Sequence, residues 1–87
     1  MHEYSLINDL IRKVADIAAQ NQAKKVSRVR VLLGALCHIS PEHFREHFAE
    51  AAIGTVADGA VLEVVFNADP NDRHAQDVLL ESLQVEE

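Results

Sequence analysis

An α+β fold, with two helices packed on one face of a small mixed three-stranded sheet, is predicted by three observations on the sequence. Apolar residues recur at helical spacing from the start of the chain to about position 20, and the period switches to strict alternation near Val26. A second capped helical segment follows, and then two short runs rich in Val and Leu, separated by a polar loop.

Leu6, Ile7, Leu10, Ile11, Val14, Ile17 and Ala18 fall on one side of a helix from Tyr4 to Gln22, with Asn8, Asp9, Arg12, Lys13, Asp16 and Gln20 on the other. The polar stretch Asn21–Lys25 ends it, and there is room for a very short strand before it. From Val26, the residues Val29, Val31 and Leu33 alternate with Arg28, Arg30 and Leu32, a strand with one buried face that closes near Gly34. Arg28 and Arg30 read as its solvated face. A loop, Ala35–Ile39, leads to Ser40-Pro41-Glu42. There Ser40 can cap free N–H groups, Pro41 suits the first helical position and Glu42 complements the helix dipole. Phe44, Phe48, Ala51 and Ala52 form the apolar stripe of this second helix, Gly54 its left-handed stop, and Asp58-Gly59 a turn. Ala60–Phe66 is a second strand, with Leu62, Val64 and Phe66 on one face. Asn67–Gln76 is polar, contains Pro70 and reads as a loop. Val78–Val85 is a third strand, with Leu79, Leu83 and Val85 on one side and Val78 and Leu80 on the other.

At 87 residues the chain has room for one domain, residues 1–87, with one core. A net charge of −6 leaves no basic face for a phosphate backbone, so nucleic acid is not an expected partner. Cys37 is the only cysteine, which excludes an intramolecular disulfide and a thiolate zinc cluster. No apolar run is long enough to span a membrane and the start lacks a signal-peptide pattern, so a cytoplasmic protein is the default expectation.

Chemistry is concentrated at the chain start. The amino group of Met1, the amide nitrogen of His2 and the His2 imidazole are adjacent along the chain and can wrap a metal in fused rings. Square-planar nitrogen and oxygen donors suit Ni(II) or Cu(II), and Glu3 could add an amide nitrogen or a carboxylate oxygen. Methionine excision generally needs a small second residue, so His2 keeps Met1 in place. The competing reading is a terminal histidine without a role. His43-Phe44-Arg45-Glu46-His47 matches the H-x-x-E-H pattern of inverted zinc proteases and puts two imidazoles one helical turn apart. A hydrolytic site also needs a third ligand and a cleft, so two solvent-facing histidines are the simpler expectation. Cys37 and His38 share a loop that could lie near the chain start, which makes His38 a candidate helper. His74, in the loop Asn67–Gln76, is a second candidate helper if that loop folds over the terminus.

The segments MHEYSLINDLI, VSRVRVLLGAL, SPEHFREHF, GTVADGAVLEV and VLLESLQVEE together resemble the hydrogenase/urease nickel-incorporation protein family, HypA. The resemblance implies a metallochaperone, not an enzyme. It implies Ni(II) held at the M-H-E start by His2, with Met1 and Glu3 contributing backbone nitrogens and the Glu3 carboxylate a further possible donor. It also implies a GTPase partner and delivery to the large subunit of a [NiFe]-hydrogenase or to urease maturation proteins. The family carries a zinc domain with two C-x-x-C pairs between the last two strands. This chain has NADPNDRHAQ there, so structural zinc is not expected, and His74 could stand in as a ligand. Removal of an inserted domain is compatible with folding if the last two strands, taken as antiparallel, leave and return at neighbouring points. The open sheet edge invites pairing with a second copy. The alternative is an interaction module that keeps the fold and binds no metal.

Overall fold

A computed structural model of the chain describes residues 3–37 and 39–86. The elements in order are α1 (Glu3–Gln20), β1 (Lys25–Leu33), α2 (Pro41–Ala52), β2 (Val61–Phe66) and β3 (Val78–Glu86). Both helices bury their apolar faces in one core against one side of a mixed sheet, as predicted. The limits move by a residue or two: α1 runs from Glu3 to Gln20, β1 takes in Lys25, β2 starts at Val61 and β3 continues to Glu86. The short strand allowed before α1 falls on Met1 and His2, outside the described residues.

Ile7, Leu10, Ile11, Val14 and Ala18 are the buried stripe of α1. The helix closes through Gln22, whose φ is 56°. The Gln22 N–H donates to the Ala19 carbonyl at 3.1 Å and the Ala23 N–H to that of Ala18 at 2.9 Å. These are the paired bonds that end a helix on a left-handed residue, a position glycine usually holds because it has no Cβ to clash. Gln22→Gly is therefore expected to stabilise the fold by about 0.5 kcal/mol once the added entropy of the unfolded chain is offset. Thermal denaturation should show this as a rise of about 2–4 °C in Tm.

The strand order is β2-β1-β3, with β1 parallel to β2 and antiparallel to β3. The crossover that parallel pairing demands is supplied by α2. The last two strands are thus not neighbours: they run in opposite directions on either side of β1. Two bulges shape the β1–β3 pair. Val26 faces Val85 while Arg28 faces Gln84, so Ser27 is an extra residue in β1; Arg30 faces Ser82 while Val31 faces Leu80, so Glu81 is an extra residue in β3. Each bulge resets the alternation of side chains. Val26 thereby joins Val29, Val31 and Leu33 in the core, and Val78 and Leu80 pack on the same core as Leu83 and Val85. Strict alternation had placed Val78 and Leu80 opposite Leu83 and Val85; the bulge at Glu81 is the physical reason they share a side. On the face away from the helices, Arg28 pairs with Glu63, and Arg30 Nε lies 3.1 Å from Glu81 Oε1. That is the solvated arginine face the sequence predicts, and half-exposed pairs of this kind contribute little stability.

Ser40 caps α2: its backbone is extended and its Oγ accepts the His43 N–H at 3.2 Å, with Pro41 opening the helix. Phe44 and Phe48 are buried one turn apart, their rings stacked with centroids 6.3 Å apart. Ser40→Ala leaves a helix N–H without its acceptor and is expected to cost about 1 kcal/mol in chemical denaturation. Gly54, at φ 80°, follows the end of α2 as predicted, and its N–H donates to Asp58 Oδ2 at 3.1 Å.

Candidate metal centre

Leu33, the last residue of β1, is in register with Phe66, the last of β2, and with Val78, the first of β3. Everything that leaves or enters the sheet at this end is therefore close together: segment 34–40, which leads into α2, and segment 67–77, which joins β2 to β3. The exit and return of segment 67–77 flank a single strand, about two strand spacings or 10 Å apart. At the opposite end of the sheet, just past α1, the Lys24 N–H donates to the Glu86 carbonyl at 3.0 Å. So the end of α1 lies at the end of the sheet away from Leu33.

The two segments are stitched to each other. The Gly34 N–H donates to the Asp77 carbonyl at 3.0 Å and the Leu36 N–H to the Ala75 carbonyl at 2.7 Å. A Cβ at Gly34 would overlap the Ala75 carbonyl and stand 2.5 Å from the His74 oxygen, so only glycine permits this approach. Ala75 is buried under the contact. Segment 67–77 also holds its own shape. Asn67 Oδ1 accepts the Asp69 N–H (3.0 Å), Asp69 Oδ1 the Asn71 N–H (2.9 Å) and Asp72 Oδ1 the His74 N–H (2.8 Å), while Asn67 Nδ2 donates to Asp72 Oδ2 (3.1 Å). Short Asn and Asp side chains that bond the backbone two residues on turn a polar sequence into an ordered loop.

That loop presents His74 half-exposed, with Nδ1 2.9 Å from Asp77 Oδ2. A carboxylate accepts, and an Nδ1–H donated to it leaves Nε2 as the ring nitrogen that can offer a lone pair. A carboxylate behind an imidazole in this way is the usual support of a histidine ligand. Asp77 is thus a candidate supporting residue that inspection of the histidines alone passes over; the H-x-x-D spacing allows the contact and the turn between them makes it. Cys37 is half-buried against the core, with Sγ 3.8 Å from the Ile39 carbonyl, and fits a packing role. Met1, His2 and His38 lie outside the described residues, so His74 is the one sequence-predicted histidine helper that the structure describes. Among the described residues no three His, Cys, Asp or Glu side chains converge on one point. The H-x-x-E-H reading therefore finds no third ligand there: His43 and His47 stack with centroids 6.3 Å apart on α2, and Glu46 is exposed beside them. Among the described residues no helix is long and apolar enough to cross a membrane.

The fold defines a class, small modules of two helices on a three-stranded mixed sheet, and solved structures share it. The solution structure of the Ni metallochaperone HypA from Helicobacter pylori superposes with a TM-score of 0.82 over 99% of this chain and 98% of that one, at 23% identity, a likeness of fold. At the level of sequence, the family described as hydrogenase/urease nickel incorporation, metallochaperone, hypA matches residues 1–69. The hydrogenase maturation factor HypA of Archaeoglobus fulgidus is 45% identical over 64 residues, 74% of this chain and 58% of the relative. That of Rhizobium leguminosarum bv. viciae is 41% identical over 64 residues, 74% and 57%. This chain belongs to the HypA family. It spans little more than half the length of these curated relatives.

Proposed function

We propose that this chain is a nickel carrier for the maturation of a [NiFe]-hydrogenase or urease and catalyses no reaction itself. Ni(II), its cargo, is held at the start of the chain: the Met1 amine, the His2 amide and imidazole, and Glu3 through its amide nitrogen or carboxylate. The family match over residues 1–69, which includes the M-H-E start, is the observation that carries this reading. The fold adds support. Segment 67–77 presents His74 with its ring backed by Asp77, an imidazole available to a metal bound near it. His74, and His38 in the neighbouring segment, are the proposed helper ligands.

Residues 1–87 act in this reading as a single nickel-binding domain, with loop 67–76 where relatives of the family carry zinc. With Cys37 as its only cysteine the chain offers no thiolate zinc site, and no structural zinc is proposed. The proposed partners are a hydrogenase-maturation GTPase and the nickel-accepting enzyme, with a second copy able to pair along an open sheet edge.

Calorimetric titration of Ni(II) into the chain and into its His2→Ala and Asp77→Asn variants tests this. His2→Ala should abolish tight binding. Asp77→Asn removes the carboxylate that orients His74 and should weaken binding about 10-fold, the lower end of what losing a ligand's support costs. Equal affinity in all three would reject the terminal site and leave the non-metal interaction module. The open face of the sheet favours that module in one respect: Val65, Leu32 and Leu79 stand in register across its three strands, an apolar row on the side the helices leave uncovered.

A further inference from the structure

The sheet order β2-β1-β3 makes β3 an edge strand, and the ladder shows which of its backbone groups face outward. The Asn67 N–H donates to the Leu33 carbonyl at 2.9 Å, and the Gly34 N–H to that of Asp77 at 3.0 Å. Successive residues of a strand direct their N–H and C=O groups to opposite sides. Leu33 therefore faces β2, while Arg28, Arg30 and Leu32 face β3, where their partners are Gln84, Ser82 and Leu79. The backbone groups of Val78, Leu80, Leu83 and Val85 are left for the free edge. The side chains of the same four residues pack on the core.

These four form a pseudo-palindrome, V-x-L-E-S-L-x-V. The bulge at Glu81 brings its two halves into one phase about the Glu81–Ser82 step. We propose that β3 pairs antiparallel with β3 of a second copy across this step, so that the two three-stranded sheets become one. Leu80 then pairs with Leu83 of the copy and Val78 with its Val85, each with backbone hydrogen bonds and with apolar side chains together. This deepens the pairing with a second copy named above, by assigning the edge and the register, and it does not depend on nickel.

Three further observations favour this occupant. A groove of about 450 Å³ lies between the last turns of α1 and β3, lined by Ile17, Leu80, Leu83 and Val85 among others. Ile17 is the one member of the predicted α1 stripe that stands outside the core, and a strand added beside β3 would help to cover it. The charges agree as well. Glu81 meets the uncharged Ser82 of the copy, and each Glu81 is already held by Arg30 of its own chain, Nε to Oε1 3.1 Å. Glu86 and Asp77, both acidic, would meet just beyond the ladder, which therefore stops at Val78 and Val85. The opposite edge, by contrast, is guarded. Leu62, out of phase with Asn67, turns its carbonyl to the free side of β2, where Arg45 Nη1 donates to it at 2.7 Å. A charged side chain laid on an edge discourages pairing there.

The test uses the metal-free chain, with chelator and reductant present so that neither nickel nor Cys37 joins two copies. Sedimentation equilibrium should show a dimer as the concentration is raised. Hydrogen exchange at the amides of Val78, Leu80, Leu83 and Val85 should slow as it forms, while that of Val64 and Phe66 on the other edge should not. In a mixture of labelled and unlabelled chains, intermolecular NOEs should join the Leu80 and Leu83 methyls. Ser82→Glu is exposed, stands beside Arg30 of its own chain and should fold as the parent does. It should nonetheless raise the dimer Kd about 10-fold, because the two-fold axis sets the new carboxylate against Glu81 twice. Val61→Glu, exposed on the far edge, should leave that Kd unchanged. A chain that stays monomeric, a dimer whose exchange slows at β2 instead, or a Ser82→Glu dimer as tight as the parent overturns the proposal. Nickel takes no part in these measurements, so failure of the terminal site would leave their outcome as it is.

Discussion

Gly34→Ala is expected to destabilise the fold by about 3 kcal/mol, the upper end of what forcing atoms into a packed site costs. Gly34 does not take the left-handed backbone, so the penalty is steric alone. The new methyl group would overlap the Ala75 carbonyl and crowd that of His74, and both obstacles are backbone, which no rotamer change can move aside. Segment 74–77 would have to lift from Gly34 and Leu36, breaking the Gly34–Asp77 and Leu36–Ala75 hydrogen bonds that hold it. Two measurements check this. Chemical denaturation should show the lost stability, and the backbone amide shifts of Ala75 and Asp77 should change far more than those of the Asp58–Gly59 turn. Gly54→Ala provides the contrast. There nothing lies within reach of a Cβ and only φ is unfavourable, so its smaller penalty of about 1 kcal/mol should leave segment 74–77 untouched. A Gly34→Ala protein as stable as the parent would mean that the two segments are not packed together.

Both helices were legible because their signals are local. The Ile7, Leu10, Ile11, Val14 stripe and the Ser40-Pro41 start depend on residues within a turn or two of each other, and each reappears in the structure almost unshifted. The phase of β3 was not legible. Glu81 looks like any other strand residue, and only its position opposite the Arg30–Val31 step makes it a bulge. The central place of β1 was equally hidden, since strand order is set by partners distant in sequence. Asn67–Gln76 announced itself as a loop through its Asn, Asp and Pro residues, but the same residues also gave it an internal hydrogen-bond network. At the site, the terminal chelate remains a proposal from the chemistry of three consecutive residues, two of which lie outside the described ones. The Asp77 support of His74 needed coordinates, because whether an i, i+3 pair touches in a loop depends on the turn between them.

Acetylation of the Met1 amine is expected to weaken Ni(II) binding by more than about 100-fold, beyond the range seen when only a ligand's support is removed. The addition leaves His2, Glu3, His74 and every part of the core as they were. It converts the Met1 amine, a strong donor once deprotonated, into an amide at the head of the fused rings. His2 keeps its imidazole but loses the neighbour that closes the chelate, so what remains is a single histidine with a flexible approach. The proton balance gives a second reading of the same chemistry. Nickel requires both amine and imidazole without their protons, and unperturbed groups of these kinds hold them up to about pH 7.7–8.0 and 6.5. Affinity in the parent chain should therefore fall as the pH drops below about 8, and fall more steeply below about 6.5, where two protons compete with the ion. In the acetylated chain the upper step should vanish, because the group responsible for it no longer takes up a proton. The absorption of square-planar nickel should disappear with it, leaving the weaker, water-completed binding of any other histidines. If the acetylated chain instead holds nickel as tightly as the parent, with the same spectrum and the same dependence on pH, then the amine is no ligand, and the metal sits elsewhere in the fold.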